Sequence, residues 1–366
     1  MLSNAPDGAS KVQLPSPVDL KVNACTSAVL AARLPCWTAY VEKKGARSLS
    51  RHPAWLAVLR RGLKHEPYCV EAVAGGQIVG LLPLALVRSL LFGRFLVGLP
   101  YLNTGGVLAD DERIARGLID RAVELADLLN VRYLELRHEK PIEHPALNQA
   151  MTSKVHSRLA LPDSSEKLWK DFDPKVRNQV RKGEKLGLSV HWGGCALLGE
   201  FYAVFSRNMR DLGTPVFGLR LFESILLEFS PGAELCVVRY GAVPVAAALL
   251  VHGCGTTEVL SASSLRNHNA TNANMLMYWH LLQRAIGRGQ QVFDFGRSSR
   301  DSGTFRFKKQ WGAKPEPAVW QYYLRKGSVG DVRRENGKYG RLIAAWQRLP
   351  LALTRLIGPI IIRGIP

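Results

Sequence analysis

Apolar positions in this chain come in short runs separated by glycine turns, and the pattern occurs twice. The run Tyr68–Ala74 leads into Gly76-Gln-Ile-Val-Gly-Leu-Leu-Pro-Leu, and the run Glu234–Tyr240 leads into Gly241-Ala-Val-Pro-Val-Ala-Ala-Ala-Leu. Each reads as strand, turn, strand. Downstream, Arg121-Ala-Val leads through a helical stretch to Tyr133-Leu-Glu-Leu-Arg, as Arg284-Ala-Ile leads to Phe293-Asp-Phe-Gly-Arg. The three offsets are 165, 163 and 160 residues. A near-constant offset predicts two copies of one unit, over 1–155 and 156–326. In the second copy, helices are expected at Pro174–Leu186, Ala196–Asp211, Leu219–Glu228 and Asn274–Arg288. Strands are expected at Glu234–Tyr240, Val243–His252, Thr256–Ala262 and Gln291–Phe295. Helices precede antiparallel strands, and a long helix precedes the last strand. That order predicts an α/β fold with a mixed sheet, not an alternating doubly wound one.

The tail, 327–366, has a different pattern. Leu342, Trp346, Leu349, Leu353, Leu356 and Ile360 recur at helical spacing, and Arg341, Arg348 and Arg355 recur every seven. This predicts a basic amphipathic helix bent at Pro350. It either packs on the core or lies on an anionic membrane surface. The apolar segments Ile78–Phe92 and Leu349–Ile362 are interrupted by Pro and Arg, so neither reads as a spanning helix. The first seventeen residues hold no apolar leader, and the expectation is a cytoplasmic chain with a possible peripheral contact on the inner face of the cytoplasmic membrane.

With 47% hydrophobic and 22% charged residues, the chain of 366 is globular. Its formal charge of +19 asks for an anionic partner. Most of that charge is clustered. Pro174–Gly187 carries a net +4, Arg297–Lys314 a net +5 and the tail a net +5. On the first of these, Arg177, Arg181 and Lys185 share one helical face. Six scattered cysteines, none at CxxC spacing, signal neither a zinc site nor a redox pair and fit a reducing compartment.

The chemistry concentrates in 293–312, where a strand ending at Asp294-Phe295 is followed by the Gly296 turn, a Ser/Gly/Arg loop and a basic aromatic segment. Arg297 and Arg300 suit a phosphate or carboxylate. Lys308 or Lys309 suits a developing oxyanion or a phosphate. The DFG tripeptide does not make a kinase, because the glycine loop, the strand lysine and the HRD motif are all missing. A Walker A sequence is missing too, and Gly105-Gly106 is too short for a phosphate loop. His138 and His144, with Glu139 and Glu143, read as surface loop residues. His252 and His280 read as core residues, and no GxSxG elbow appears.

The stretch FDFGRSSRDSGTFRFKKQWG (293–312), with NANMLMYWHLLQRAIGRG (272–289) before it, resembles the FemAB-related family. More narrowly, it resembles members associated with exosortase/PEP-CTERM exopolysaccharide loci. NMRDLGTPVFG (208–218), PKVRNQVRKGEKLGL (174–188), GGQIVGLLPLALV (75–87) and LPYLNTGGVLAD (99–110) match the same pattern. The resemblance spans about 15–325 and excludes the tail. It implies two tandem GNAT-like acyltransferase domains and transfer of an acyl or aminoacyl group to an amine. It also implies an acyl-CoA or aminoacyl-tRNA co-substrate, with no tightly bound cofactor or metal. The family's Phe-Lys pair falls on Phe307-Lys308, with Lys309 as the neighbouring possibility. The chain lacks the long coiled-coil insertion of some tRNA-dependent members.

The mechanism expected from these residues is attack of an amine on an activated carbonyl, helped by positioning and by oxyanion stabilisation. Lys308 would face the oxyanion or the donor phosphate. Asp294 would orient the amine or accept its proton, or else brace the turn. Arg297, Arg300 and Lys309 would hold anionic groups, and Arg177 and Arg181 would line the entrance. The helix start at Thr271, Asn272 and Asn274 would offer N–H groups to a diphosphate. The acceptor would be an amine-bearing envelope or polysaccharide precursor, with membrane contact through 333–363. The alternative is a non-catalytic module that holds an anionic polysaccharide precursor or RNA.

Overall fold

The computed structural model describes residues 20–45, 49–89, 92–327 and 340–365. The N-terminal stretch and the first part of the tail, up to 339, lie outside the described residues. In chain order the first unit contains β1 (Lys21–Thr26), α1 (Leu30–Lys43), α2 (Ala54–Leu63), β2 (Glu66–Ala74), β3 (Gln77–Ser89), β4 (Gly93–Val97), β5 (Leu108–Ala109), α3 (Glu112–Leu128), β6 (Tyr133–His138) and β7 (Gln149–Met151). Then come β8 (Lys154–Ala160), α4 (Ser165–Asp171), α5 (Pro174–Lys185), β9 (Leu188–Gly193), α6 (Leu198–Asp211), α7 (Leu219–Glu228), β10 (Ala233–Tyr240), β11 (Val243–Gly253) and β12 (Thr256–Ser264). The chain continues through α8 (Ala273–Gly287), β13 (Val292–Ser299), α9 (Gly303–Lys309), β14 (Lys314–Pro317) and β15 (Val319–Leu324), and the tail forms α10 (Gly340–Arg348) and α11 (Leu351–Ile362).

Two mixed sheets result. One runs β1-β2-β3-β4-β6-β15-β7, with β5 on β3, and the other runs β14-β8-β13-β12-β11-β10-β9. The equivalence of the two copies is visible in the order of elements: an antiparallel hairpin (β2-β3, β10-β11), then a helix (α3, α8) crossing to a parallel strand (β6, β13). The sheets do not divide the chain at one point, however. β15 lies far along the second copy yet pairs with β6 over Val319–Leu324, completing the first sheet. A cut at 155/156 would pass through β8, which pairs with β13 and β14 in the second sheet.

Local sequence accounts for the helix starts. The Asp111 carboxylate accepts from the Ile114 N–H at 2.7 Å, and Asp173 does the same for Lys175, with Pro174 in the first turn. α3 buries Ile114, Leu118, Ile119, Ala122 and Leu125 against its sheet, the i, i+4 stripe of an amphipathic helix. One hydrophobic core joins the units: Trp37, Trp55 and Leu56 pack with Phe201, Phe222, Leu235 and Leu249. α2 and α7 meet so closely that a Cβ on Gly62 would stand 2.8 Å from the Leu221 Cα.

Two expectations need correction, and one segment gains an element. β13 does not end at Phe295 but runs to Ser299, because β8 continues to pair with it across an irregularity between Asp294 and Arg297. The basic aromatic segment forms the short helix α9, capped by Ser302, whose hydroxyl accepts from the Phe305 N–H at 3.1 Å. His138 is not a surface residue: it ends β6, is buried, and its ring bonds to Gln321 and to the Val107 N–H.

Candidate active site

β12 and β13 are the central parallel strands of the second sheet. Their ladder covers only Thr256–Glu258 against Val292–Asp294, although β12 continues to Ser264 and β13 to Ser299. The strands therefore part beyond Glu258. Where β12 ends, a cavity of about 250 Å³ is lined by Val245, Ser264, Leu265, His268, Asn269, Asn272, Ala273, Asn274, Met275 and Phe307. The N-terminus of α8 opens onto it, with Asn272 in the left-handed conformation at φ 58°. The positive end of a 15-residue helix favours an anion there. Asn272 and Asn274 line the cavity, but Thr271 does not. Its hydroxyl donates to the His268 carbonyl and accepts from the Ala273 N–H, which fixes the turn into α8.

α9 joins this cavity to a buried charged cluster. Phe307 lines the cavity and packs edge-on against Tyr278, with ring centroids 4.9 Å apart. The next residue, Lys308, is buried, and its Nζ donates to the carbonyls of Gly296 (3.0 Å) and Arg297 (3.2 Å). Burial, with the Arg297 charge, brings its pKa down to about 8 against the pull of Asp294. Gly296 adopts φ +77°, which turns these carbonyls toward the lysine.

Both oxygens of Asp294 are engaged. Oδ1 accepts from the Gly296 N–H at 2.7 Å and Oδ2 from Arg158 Nε at 2.8 Å. Asp294 thus braces the turn. Arg158 also binds Glu316 at 2.7 Å and Glu139, and the latter pairs with Arg51. Opposite Asp294 in the ladder stands Glu258, buried, with its Oε1 accepting from Ser50. Burial and the Asp294 charge push its carboxyl upward. The cluster draws Ser50, Arg51 and Glu139 from the first unit and Arg158, Glu258 and Asp294 from the second.

The remaining expected site residues are spread out. Arg297 is not a loop cation: its guanidinium stacks 3.3 Å from the ring centroid of Trp320 on β15, a ring that Arg137 also covers at 4.0 Å. Its N–H donates to Asn103 of the first unit. Arg300 and Lys309 are exposed. Arg181 lies over Trp169 at 5.6 Å, and Arg177 is half-buried. Neither lines the open hollow beside α8; Lys175, Asn178, Gln179, Lys182 and Asn272 do. The i, i+4, i+8 row in the sequence identified a basic face, but a neighbouring one. Ser50, Arg158, Glu139 and Glu258 carried no motif to mark them.

A second cavity, of about 360 Å³, lies on the other face of β12, between the units. It is lined by Trp55, Val58 and Leu59 of α2, Pro100–Leu102, side chains of α6 and α7, and Leu260–Ser263 of β12. In the first unit the corresponding opening is filled by the chain itself. β4 and β6 pair over Phe95–Val97 and Tyr133–Glu135, after which the Gly98 and Gly105 N–H groups bond to the carbonyls of Glu135 and Arg137. A Cβ on Gly98 would sit 1.8 Å from the Gly105 oxygen. Among the described residues no cluster of three metal-ligating side chains occurs.

Comparison with known proteins fits this geometry. Residues 170–309 match the acetyltransferase (GNAT) domain family. No curated protein matches the sequence. Among solved structures, FemX covers 80% of this chain and 96% of its own at 14% identity, with a TM-score of 0.62. A tandem GNAT protein from the clavulanic acid biosynthesis pathway covers 85% and 100% at 14% identity, with a TM-score of 0.53. L-PGS from Bacillus licheniformis covers 88% and 96% at 12% identity, also at 0.53. Residues 170–309 thus match a GNAT domain, and the whole chain has the fold of two GNAT-like domains in tandem.

Proposed function

We propose that this protein is a FemAB-like N-acyltransferase with a single transfer site, in the second unit. The observation that carries this reading is the parting of β12 and β13 beyond Glu258, with the α8 N-terminus and Phe307 on a cavity at its end and Lys308 against β13. An acyl-CoA suits that side: its diphosphate would meet the α8 N-terminus and Asn272, flanked by Lys175 and Lys182. The acyl carbonyl would reach the end of β12. The acceptor nitrogen forms the C–N bond as the C–S bond breaks, and its proton leaves with the thiolate. Lys308, mostly protonated at neutral pH, supplies positive charge beside the developing oxyanion. Asp294 and Arg158 hold the Gly296 turn that aims it. The plugged opening in the first unit leaves that copy a structural role.

The acceptor in this reading is an amine-bearing precursor of the cell envelope or of an exopolysaccharide. The FemX-like fold and the sequence resemblance to the exosortase-associated subfamily both support it. Aminoacyl-tRNA is the other donor. Peripheral membrane contact belongs to the same reading. No helix among the described residues is long and apolar enough to cross a membrane, but α10 and α11 expose Leu342 (66%), Leu353 (39%), Leu356 (71%) and Ile360 (58%). The helices carry Arg341, Arg348 and Arg355, with Arg363 just beyond, and no acidic residue.

Thermal unfolding with coenzyme A, acetyl-CoA and aminoacyl-tRNA tests the donor. A true donor at a hundred times its Kd stabilises by about 2.7 kcal/mol. No shift with any of the three, together with tight, salt-sensitive binding of RNA or a polyanionic glycan, would instead favour a non-catalytic module.

A further inference from the structure

The two cavities meet at consecutive residues of one strand: Ser263 lines the larger one and Ser264 the smaller. The larger cavity lies on the face of the sheet where Leu235, Val237 and Leu249 pack with α6 and α7, whereas their neighbours Cys236, Val238 and Ala248 pack with α8, so it approaches the end of β12 from the side away from α8. If the acyl donor occupies the α8 side, the acceptor approaches through the larger cavity. This step rests on the acyltransferase reading above.

The lining of that cavity restricts what enters. Trp55, Val58, Leu59, Phe217, Leu221 and Ile225 form its walls, and among the described residues none of its lining side chains is charged. Its polar point is at the strand end, where Asn208 Nδ2 donates to Ser263 Oγ at 3.1 Å. A nucleoside diphosphate or an acidic sugar finds no counter-charge there and would lose its hydration uncompensated.

The tail runs along the mouth. Tyr101 lines the cavity and its hydroxyl donates to the Arg363 carbonyl at 2.7 Å. Leu349 accepts from Arg210, and Arg355 donates to Ser206, both on α6. Cβ atoms at Gly213 and Gly358 would clash with Ile343 and Val216 respectively, so the tail is in close contact with the loop ahead of Phe217. α11 turns Thr354 and Gly358 inward and Leu353, Leu356 and Ile360 outward. A second copy docked on this face would bring arginine against arginine, whereas an anionic bilayer complements it.

We propose that the acceptor is an amphipathic amine bound as the free base, with its nitrogen at Asn208 and Ser263 and its hydrocarbon arm in the cavity between the units, delivered from an anionic membrane surface on which α11 rests. Titration of the full chain with butylamine, hexylamine, octylamine and glucosamine, below micelle-forming concentrations, tests this. The alkylamine affinity should rise by up to about fourfold per methylene while the arm is being buried, and glucosamine should bind weakly. Met209→Trp, which fills the cavity, should flatten the series, while Leu128→Ser on the exposed face of α3 should leave it intact. Equal affinity along the series would overturn the proposal, as would a chain-length effect that survives Met209→Trp and Phe217→Ser alike. Sedimentation with phosphatidylglycerol-containing vesicles should be lost in the variant Leu353→Ser/Leu356→Ser/Ile360→Ser. Self-association through this face in place of vesicle binding would overturn the membrane part. Loss of transfer chemistry with the alkyl series intact would count against the acyltransferase reading alone.

Discussion

The buried Lys308 couples the stability of the second unit to pH. Its folded pKa of about 8 lies below the free-lysine value of about 10.4, so the unfolded chain binds the proton more readily. The resulting destabilisation is fully present below about pH 8 and fades as pH rises toward the unfolded value. Replacing Lys308 by Met removes that penalty but strands the Gly296 and Arg297 carbonyls, so the effect shows in the pH trend: relative to the unaltered protein, the variant should gain about 1–3 kcal/mol between pH 10 and pH 7 in urea unfolding, even as transfer is lost. If protonated Lys308 stabilises the oxyanion, kcat/KM expressed on the free-base amine should fall as pH rises through about 8. The Asp294 charge raises the lysine's pKa, so Asp294→Asn should move that alkaline limb to lower pH. It should also cost about 3 kcal/mol, the low end for a broken buried pair, since Arg158 keeps Glu139 and Glu316. The Phe307-Lys308 pair was legible in the sequence because it sits in a distinctive local motif. The partner of Glu258, Ser50, lies 208 residues away, and no local pattern links positions so distant.

At the scale of elements, hydrophobic alternation and turn glycines marked the central hairpins, α3, α8 and the break at Pro350, because each of those buries a periodic face. They did not mark β8 and β14, whose lysines, arginine and prolines obscure any alternation and whose pairing is set by distant neighbours. The α5 residues that border the hollow beside α8 were not legible for a related reason: several basic rows coexist on that helix, and only tertiary packing selects the one beside α8. The crossing of Gly98 and Gly105 explains why glycines stand in the first unit's loop. A Cβ on Gly105 would lie 2.0 Å from the Gly98 oxygen, so Gly105→Ala should cost about 3 kcal/mol. Gly117→Ala within α3, where the nearest atom is 3.7 Å away, should instead stabilise by about 0.5–1 kcal/mol. Chemical denaturation of the two variants separates these outcomes.

Across the whole molecule, the internal repeat gave the tandem architecture but not the exchange of strands. β15 closes the first sheet, and Trp320 on it stacks with Arg297 of the second. The hydrophobic core is likewise shared through α2 and α7. A chain ending at 317 should therefore lose cooperative unfolding in the first unit as well, measurable by circular dichroism against urea. Native-like unfolding of that fragment would contradict the shared core. The clustered charge also divides at this scale: Lys175 and Lys182 border the hollow beside α8, Arg297 becomes a strut against Trp320, and of the tail arginines Arg341 and Arg348 are exposed while Arg355 turns in to Ser206 and Tyr202.

Amide formation from acetyl-CoA and a long-chain primary amine, followed by mass spectrometry with the full chain and with Lys308→Ala, tests acyl transfer at the second unit most directly. The expected result is amide formed by the unaltered protein and slowed by about a hundredfold or more in the folded variant. Equal rates in the two proteins, or no amide from the unaltered protein with this donor or with aminoacyl-tRNA, would contradict it.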